Sequence, residues 1–258
     1  MKEKLKQAKE TNKASLYIPV CDFFLFQLNE RCSLPKNPIS TASNLSSEIL
    51  KEIKDDYRVL IIKGKNLSRY ETLYYDTNKL FLYYRHHSGE LNRYKIRHRT
   101  YVESEIGFLE VKFKNNKGRT IKDRIKKKDV PYHWENEIST FLDSKLPFDP
   151  NSLVPVLWVN YSRLTLVNKS SAERLTIDLH LEFKKDDKVR SFNNLVIAEV
   201  KQEKRKPSAF IKLMKQHHIP EGSISKYCMG IATSYENVKK NNFKPKLTAI
   251  NKILTSNI

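Results

Sequence analysis

Cysteine is scarce in this chain of 258 residues: Cys21, Cys32 and Cys228 are odd in number and widely spaced. That excludes a disulfide framework, offers none of the short spacings of a zinc site, and fits a reducing compartment, so a cytoplasmic location is expected. No apolar run approaches the roughly 20 residues of a membrane span, so any coupling to a membrane would need a partner. The stretch "ASLYIPVCDFFLFQL" follows a Lys-rich opening, but Pro19 and Asp22 interrupt it and no small-residue cleavage site follows, so export is not expected. Also missing are the phosphate loop GxxxxGK[ST], internal repeats, an RNA-binding aromatic signature and a helix-turn-helix pattern. A nucleotide would therefore be held by side chains, and nucleic acid is not an expected partner.

Acidic residues are in short supply as well. The 29 Asp and Glu against 48 Lys and Arg leave a net charge of +19, a potential that attracts polyanions such as phosphate chains and nucleotides. The length suits one large domain or two small ones, with ample residues for a core.

What is present reads as an α+β chain rich in antiparallel strands. Residues 1–13 are charged and poor in apolar side chains. Helices are expected over about 44–55, where Leu45, Ile49 and Ile53 recur every four residues, and over 132–146, where Trp134, Ile138, Phe141 and Leu142 define one face. A third is expected over 207–218, opened by Pro207. Strands are expected over 69–77, 80–87, 91–101, 108–114, 119–126, 156–167, 173–183 and 194–204, with a Ser88-Gly89 turn and an "NNKG" hairpin.

The strands share a chemistry. In "FLEVKFK", Glu110, Lys112 and Lys114 oppose Leu109, Val111 and Phe113; Lys95, Arg97 and Arg99 share one parity, as do Lys122 and Arg124. In "ERLTIDLHLEF", Arg174, Thr176, Asp178, His180 and Glu182 oppose an apolar set, and in "LVIAEVKQEK" Glu199, Lys201 and Glu203 oppose Val196, Ala198 and Val200. Such a face lies in solvent or inside a closed barrel. Converging Arg and Lys repel one another unless an anion sits between them, and the guanidinium fork matches phosphate oxygens. A few carboxylates among many bases suit Mg²⁺ or Mn²⁺ bridging phosphates.

The stretches "SRYETLYYDT", "LNRYKIRHRTY", "FLEVKFKNNKGRTIKDRI", "ERLTIDLHLEF" and "LVIAEVKQEK" resemble the bacterial form of the VTC domain, named for the vacuolar transporter chaperone complex and placed in the CYTH, or triphosphate tunnel metalloenzyme, superfamily. The resemblance implies an antiparallel β-barrel forming a tunnel with charged walls and helices packed outside. The implied activity is ATP-dependent polyphosphate synthesis with a divalent ion, with ATP and polyphosphate as ligands. It also implies domain limits: residues 1–43 as an N-terminal segment, 44–245 as the tunnel domain and 246–258 as a tail. By the same resemblance Arg97, Arg99, Lys112, Arg163, Arg174 and Lys226 are catalytic phosphate-binding residues, with Lys122 a further tunnel lysine. Lys95, Arg124 and Lys201 share the charged faces and complete the expected substrate-binding set. Glu199 matches the metal-binding glutamate, with Asp178 and Glu182 as further candidates for the ion. Arg97 and Arg174 are expected to serve the ligand more than the core. One departure stands out: the family's first barrel strand falls on "LNERCSLPKNPIST", where Arg31 and Lys36 are its possible remnants and Pro35 and Pro38 suit an interior ladder position poorly. Alternative functions are a triphosphatase, with water as acceptor, and a non-catalytic sensor of polyphosphate or inositol phosphates.

Overall fold

Alternation of apolar and charged side chains gives each long strand two unlike faces, and the packing follows from which face is apolar. The computed structural model describes residues 20–27, 49–204 and 206–255. In chain order it has β1 (Val20–Gln27), a helical turn over 49–53, β2 (Tyr57–Val59), β3 (Leu67–Thr77), α1 (Phe81–His87), β4 (Arg93–Tyr101), β5 (Ile106–Lys114), β6 (Thr120–Lys126) and α2 (Glu137–Asp143). Then come β7 (Leu153–Asn168), β8 (Glu173–Lys185), β9 (Lys188–Phe192), β10 (Leu195–Gln202), α3 (Ala209–Gln216), β11 (Glu221–Gly222), α4 (Lys226–Ser234) and α5 (Lys244–Thr255).

Every strand pairing is antiparallel, in the order β11-β1-β10-β8-β7-β3-β4-β5-β6, with β2 added to β7 and β9 to β8. The fold is α+β, a large antiparallel sheet with helices around it. Among the described residues the sheet is open, ending at β6 and β11, where a closed barrel was expected. The expected first barrel strand, with Arg31 and Lys36, lies outside the described residues. β1, from the apolar stretch that resembles a leader, pairs along β10 from Val20 opposite Gln202 to Gln27 opposite Leu195.

One sheet face is predominantly apolar. Leu164, Leu166, Leu175, Ile177, Leu179, Val196, Ala198 and Val200 pack on Ile53 and on Phe210, Leu213 and Met214 of α3. Leu73, Tyr75, Ile96, Leu109 and Val111 pack on Ile138 and Leu142 of α2. Each such side chain contributes about 1.5–3 kcal/mol on burial, which fixes which face turns inward on the helices. The other face is apolar at one end only, where Leu157, Val159, Leu181 and Phe183 lie beneath Tyr227, Cys228 and Ile231 of α4 and Ile250 of α5. Residues 246–258, expected as a tail, supply most of α5, and Ile250 is buried in that cluster.

Within 80–87, where a strand was expected, Phe81–His87 form a helix, α1, with Leu80 as its N-cap. Their aromatic content favours a strand, but the buried Asp76 carboxylate accepts the N–H groups of Leu82 and Tyr83 at 2.8 and 2.9 Å. It thereby satisfies helix N-terminal donors, and capping outweighs propensity. The Ser88-Gly89 turn stands where expected, with Gly89 at φ 72°, but closes this helix instead of a hairpin. The helix expected over 132–146 contracts to α2, with Trp134 and Leu146 packing from its flanks.

Candidate active site

The open part of the charged face is built by register. β4 lies between β3 and β5, so Tyr74 stands beside Arg97 and Thr72 beside Arg99, while Arg97 faces Glu110 and Lys95 faces Lys112. On β6, Lys122 and Arg124 continue the same rows. Arg97 is buried: its Nε donates to Glu110 Oε2 at 2.7 Å and its Nη1 to the Tyr74 hydroxyl at 3.2 Å. Lys122 pairs with the other Glu110 oxygen. Burial pushes the Glu110 carboxyl up, but Arg97, Arg99, Lys122 and Lys112 outweigh it and hold the group well below the usual carboxylate range. For Lys112, burial and then the fields of Arg97 and Arg99 push the ammonium well below its ordinary value. For Tyr74, burial raises the hydroxyl, and Arg97, Arg99 and Lys95 together bring it down below the ordinary phenol. All three shifts report the same excess of positive charge.

The second half comes from β7, β8 and α4. Arg163 grips Asp178 in a fork, Nε to Oδ1 at 2.5 Å and Nη2 to Oδ2 at 2.8 Å, and Lys226 Nζ donates to the same Oδ2 at 2.5 Å. Burial raises the Asp178 carboxyl, and Arg163 and Lys226 more than reverse this, holding it low. Between the halves Tyr70 and Tyr161 stack at 5.1 Å and 8°. The Arg99 guanidinium lies over these rings at 5.3 and 5.7 Å, and that of Arg163 at 5.2 and 5.3 Å. Cation–π attraction of about 0.5–2 kcal/mol per contact helps the tyrosines hold the two arginines near one another, in addition to the Asp178 fork on Arg163. Lys226 opens α4, whose N-cap Ser225 accepts the Cys228 N–H at 3.2 Å and Lys95 Nζ at 3.0 Å.

On β10, Glu199 Oε1 lies 3.1 Å from Lys201 Nζ. Burial raises its carboxyl, while Lys201, Arg163 and Lys226 bring it below its ordinary value. The structure thus brings Arg97, Arg99, Lys112, Arg163, Lys226, Lys95, Lys122, Lys201, Asp178 and Glu199 onto one face. Arg124 is on that face with its guanidinium 4.4 Å from the Phe108 ring centroid, and Arg174 is at its exposed end.

Glu182 is a correction. His180 adopts φ 52°, and the register slips from Asn160 opposite Glu182 to Ser162 opposite Leu179, so β8 carries an extra residue. A bulge reverses parity, which puts Leu181 and Phe183 on the charged side and Glu182 on the other, within 3.3 Å of Asn160 Nδ2. Asp178 is on the charged face, with both oxygens engaged by Arg163 and Lys226. Glu199, the carboxylate expected to hold Mg²⁺ or Mn²⁺, has its Oε1 in an ion pair with Lys201. No group of three or more His, Cys, Asp or Glu able to hold a metal occurs among the described residues. A single carboxylate still fits these ions, which take their other ligands from phosphate oxygens and water.

Sequence reasoning passed over Tyr70, Thr72, Tyr74, Tyr161 and Ser225. The signal for three of them was visible, since positions 70, 72 and 74 alternate in "RYETLYYDT" on the parity that pairs with Arg97 and Arg99.

Among solved structures, a candidate adenylate cyclase from Bacillus halodurans is similar to this chain at 14% identity, covering 85% of this chain and 98% of that one, with a TM-score of 0.48. A candidate adenylyl cyclase from Hippeastrum, stated to have a dominant triphosphatase activity, is 14% identical over 83% of this chain and 96% of that one, TM-score 0.48. No match was found among curated proteins. The family model of the VTC domain matches residues 40–235, which contain every residue placed in the site. The chain belongs to the VTC domain family.

Proposed function

We propose that this protein is an ATP-dependent polyphosphate polymerase. The observation that carries the reading is the convergence of Arg97, Arg99, Arg163, Lys112, Lys122 and Lys226 on one face, with Glu110 and Asp178 too few to neutralise them. Phosphoryl transfer needs charge neutralisation and alignment more than covalent help from the protein.

In this reading a terminal phosphate oxygen of the growing chain attacks the γ-phosphorus of ATP in line. The bond to the β,γ-bridging oxygen breaks, ADP leaves and the chain is one phosphate longer. Arg99 and Arg163, spaced by the tyrosine pair, hold the equatorial oxygens of the transferred group; Lys226 enters from α4 and exchanges Asp178 for phosphate. Arg97, Lys112 and Lys122 hold the neighbouring phosphates. Glu199 is the residue that would hold a divalent ion, which would supply positive charge to the reacting phosphates. Glu110 and Asp178 keep the cations in place when no anion is bound, which limits their mutual repulsion.

Purified protein with ATP and Mn²⁺ tests this by its product. Long-chain polyphosphate supports the polymerase. Orthophosphate alone would instead mean a triphosphatase on the same site, and ligand binding with no turnover a sensor.

A further inference from the structure

The charged face does not end at α4. Register arranges its side chains in rungs: Arg99 beside Phe108 and Lys126, Arg97 beside Glu110 and Arg124, Lys95 beside Lys112 and Lys122, and outermost Arg93 beside Lys114 and Thr120. Successive rungs are two residues apart, about 7 Å at the rise of an antiparallel strand. The inner rungs have Glu110 close by as a counter-ion, whereas the outer rung holds no carboxylate. Arg93 Nη1 donates to the Glu90 backbone oxygen at 2.9 Å, the Glu90 carboxylate pairs with Arg85 at 3.2 Å, and Lys114 makes no ion pair among the described residues.

A further cation arrives from α5. Lys246 Nζ donates to Ser223 Oγ at 2.7 Å, two residues before Ser225, whose Oγ takes Lys95 Nζ at 3.0 Å. Lys95 of the inner rung and Lys246 therefore hold the same short stretch that leads into α4. His86 of α1 sits among these groups: burial, then Lys95, Arg93, Lys246 and Lys114, push its imidazole down to about 2. Its Nδ1 is buried without a hydrogen-bond partner among the described residues. Position 246 lies beyond residues 40–235, which the family model matches.

We propose that Arg93, Lys114 and Lys246 form an outer anion subsite for linear polyphosphate, gripping phosphates remote from the reacting end held at Arg99 and Arg163. The proposal rests on the polyphosphate reading of the inner site. A short phosphate chain is satisfied by the inner rungs, while a long one gains the contacts of the outer rung, so the subsite makes affinity depend on chain length. A growing product would stay bound through phosphates that take no part in the chemistry.

The test is equilibrium binding by the full chain, without nucleotide or metal, at several fixed salt concentrations, with tripolyphosphate and a long-chain polyphosphate as probes. The Lys114→Gln/Lys246→Gln variant should bind the long chain about ten-fold more weakly, with a salt dependence shallower by about 1–2 logarithmic units, and tripolyphosphate within about two-fold of the unsubstituted protein. Lys114→Arg/Lys246→Arg, which keeps the charges, should restore long-chain affinity. Equal losses for both probes, or no loss for the long chain while tripolyphosphate still binds, would overturn the outer subsite alone. Failure of the unsubstituted protein to bind either probe would overturn the inner-site reading and the outer subsite with it.

Discussion

Arg97 shows how one side chain serves both structure and ligand. Its partner Glu110 is fully buried, so Arg97→Ala leaves a carboxylate in the interior with Lys122 as its remaining ion pair among the described residues. Removing one partner of such a pair costs about 3–5 kcal/mol, which chemical denaturation should register. The expectation that Arg97 serves the ligand more than the core is therefore revised. Arg97→Ala/Glu110→Gln should recover most of the stability but not phosphate binding, whereas Arg174→Ala, at an exposed position, should leave the thermal transition nearly unchanged. Glu199→Gln is expected to keep polyphosphate affinity and lose most Mn²⁺-dependent turnover, since it removes one ligand for the ion and none of the cations; unchanged turnover would take Glu199 out of the mechanism. At this scale much was legible, because parity alone aligned Lys95, Arg97 and Arg99 with Glu110, Lys112, Lys122 and Arg124. Tyr70 and Tyr74 showed only as an alternation, since an aromatic in an alternating strand reads as core until the facing arginine is known.

Among the elements, α4 governs how closely Lys226 and Ser225 approach the sheet. Gly230 permits that approach: a Cβ there would lie 2.3 Å from Leu157 Cδ2 and 2.8 Å from Phe183 Cδ1. Gly230→Ala should lower stability by about 1–3 kcal/mol through overpacking and weaken phosphate binding by shifting the Lys226 end, both measurable on one preparation. Tyr227 adds a second tie, its hydroxyl donating to the buried Asp76 that caps α1, while its ring stacks on Tyr74 at 4.9 Å. The strands with long alternation, β4, β5 and β10, stand where their patterns put them. Two errors have one cause: the pattern is local and the decisive contact is not. For α1, a carboxylate from the end of β3 outweighed aromatic strand propensity. For β8, a single residue in the left-handed region at His180 reversed the faces, and the period-two pattern of "ERLTIDLHLEF" continues through the bulge without a break.

For the whole molecule, the buried ionisable groups set the response to pH. Burial lowers His98, and burial with neighbouring cations lowers His86 to about 2, so on acidification the unfolded chain takes up these protons first, below about 6.5. Stability should fall from there on the order of 1 kcal/mol per pH unit per group. Glu110 and Asp178 act in the other range: their carboxyls are depressed in the fold, so their contribution is full above about 4 and is lost as pH falls toward the folded values. The thermal transition should therefore decline below about pH 6.5 and more steeply below about 4, and His86→Leu should flatten the first part. The net charge of +19 and the charged face pointed to a polyanion from composition and parity, but the open sheet edges and the helical role of residues 246–255 depend on packing between distant segments. The most direct measurement of the central claim follows the label from ATP marked at the γ-phosphorus or at the α-phosphorus, incubated with the protein and Mn²⁺. The account predicts that the γ-label enters a long phosphate polymer while the α-label stays in ADP. Release of the γ-label only as orthophosphate, or its retention in ATP, would contradict it.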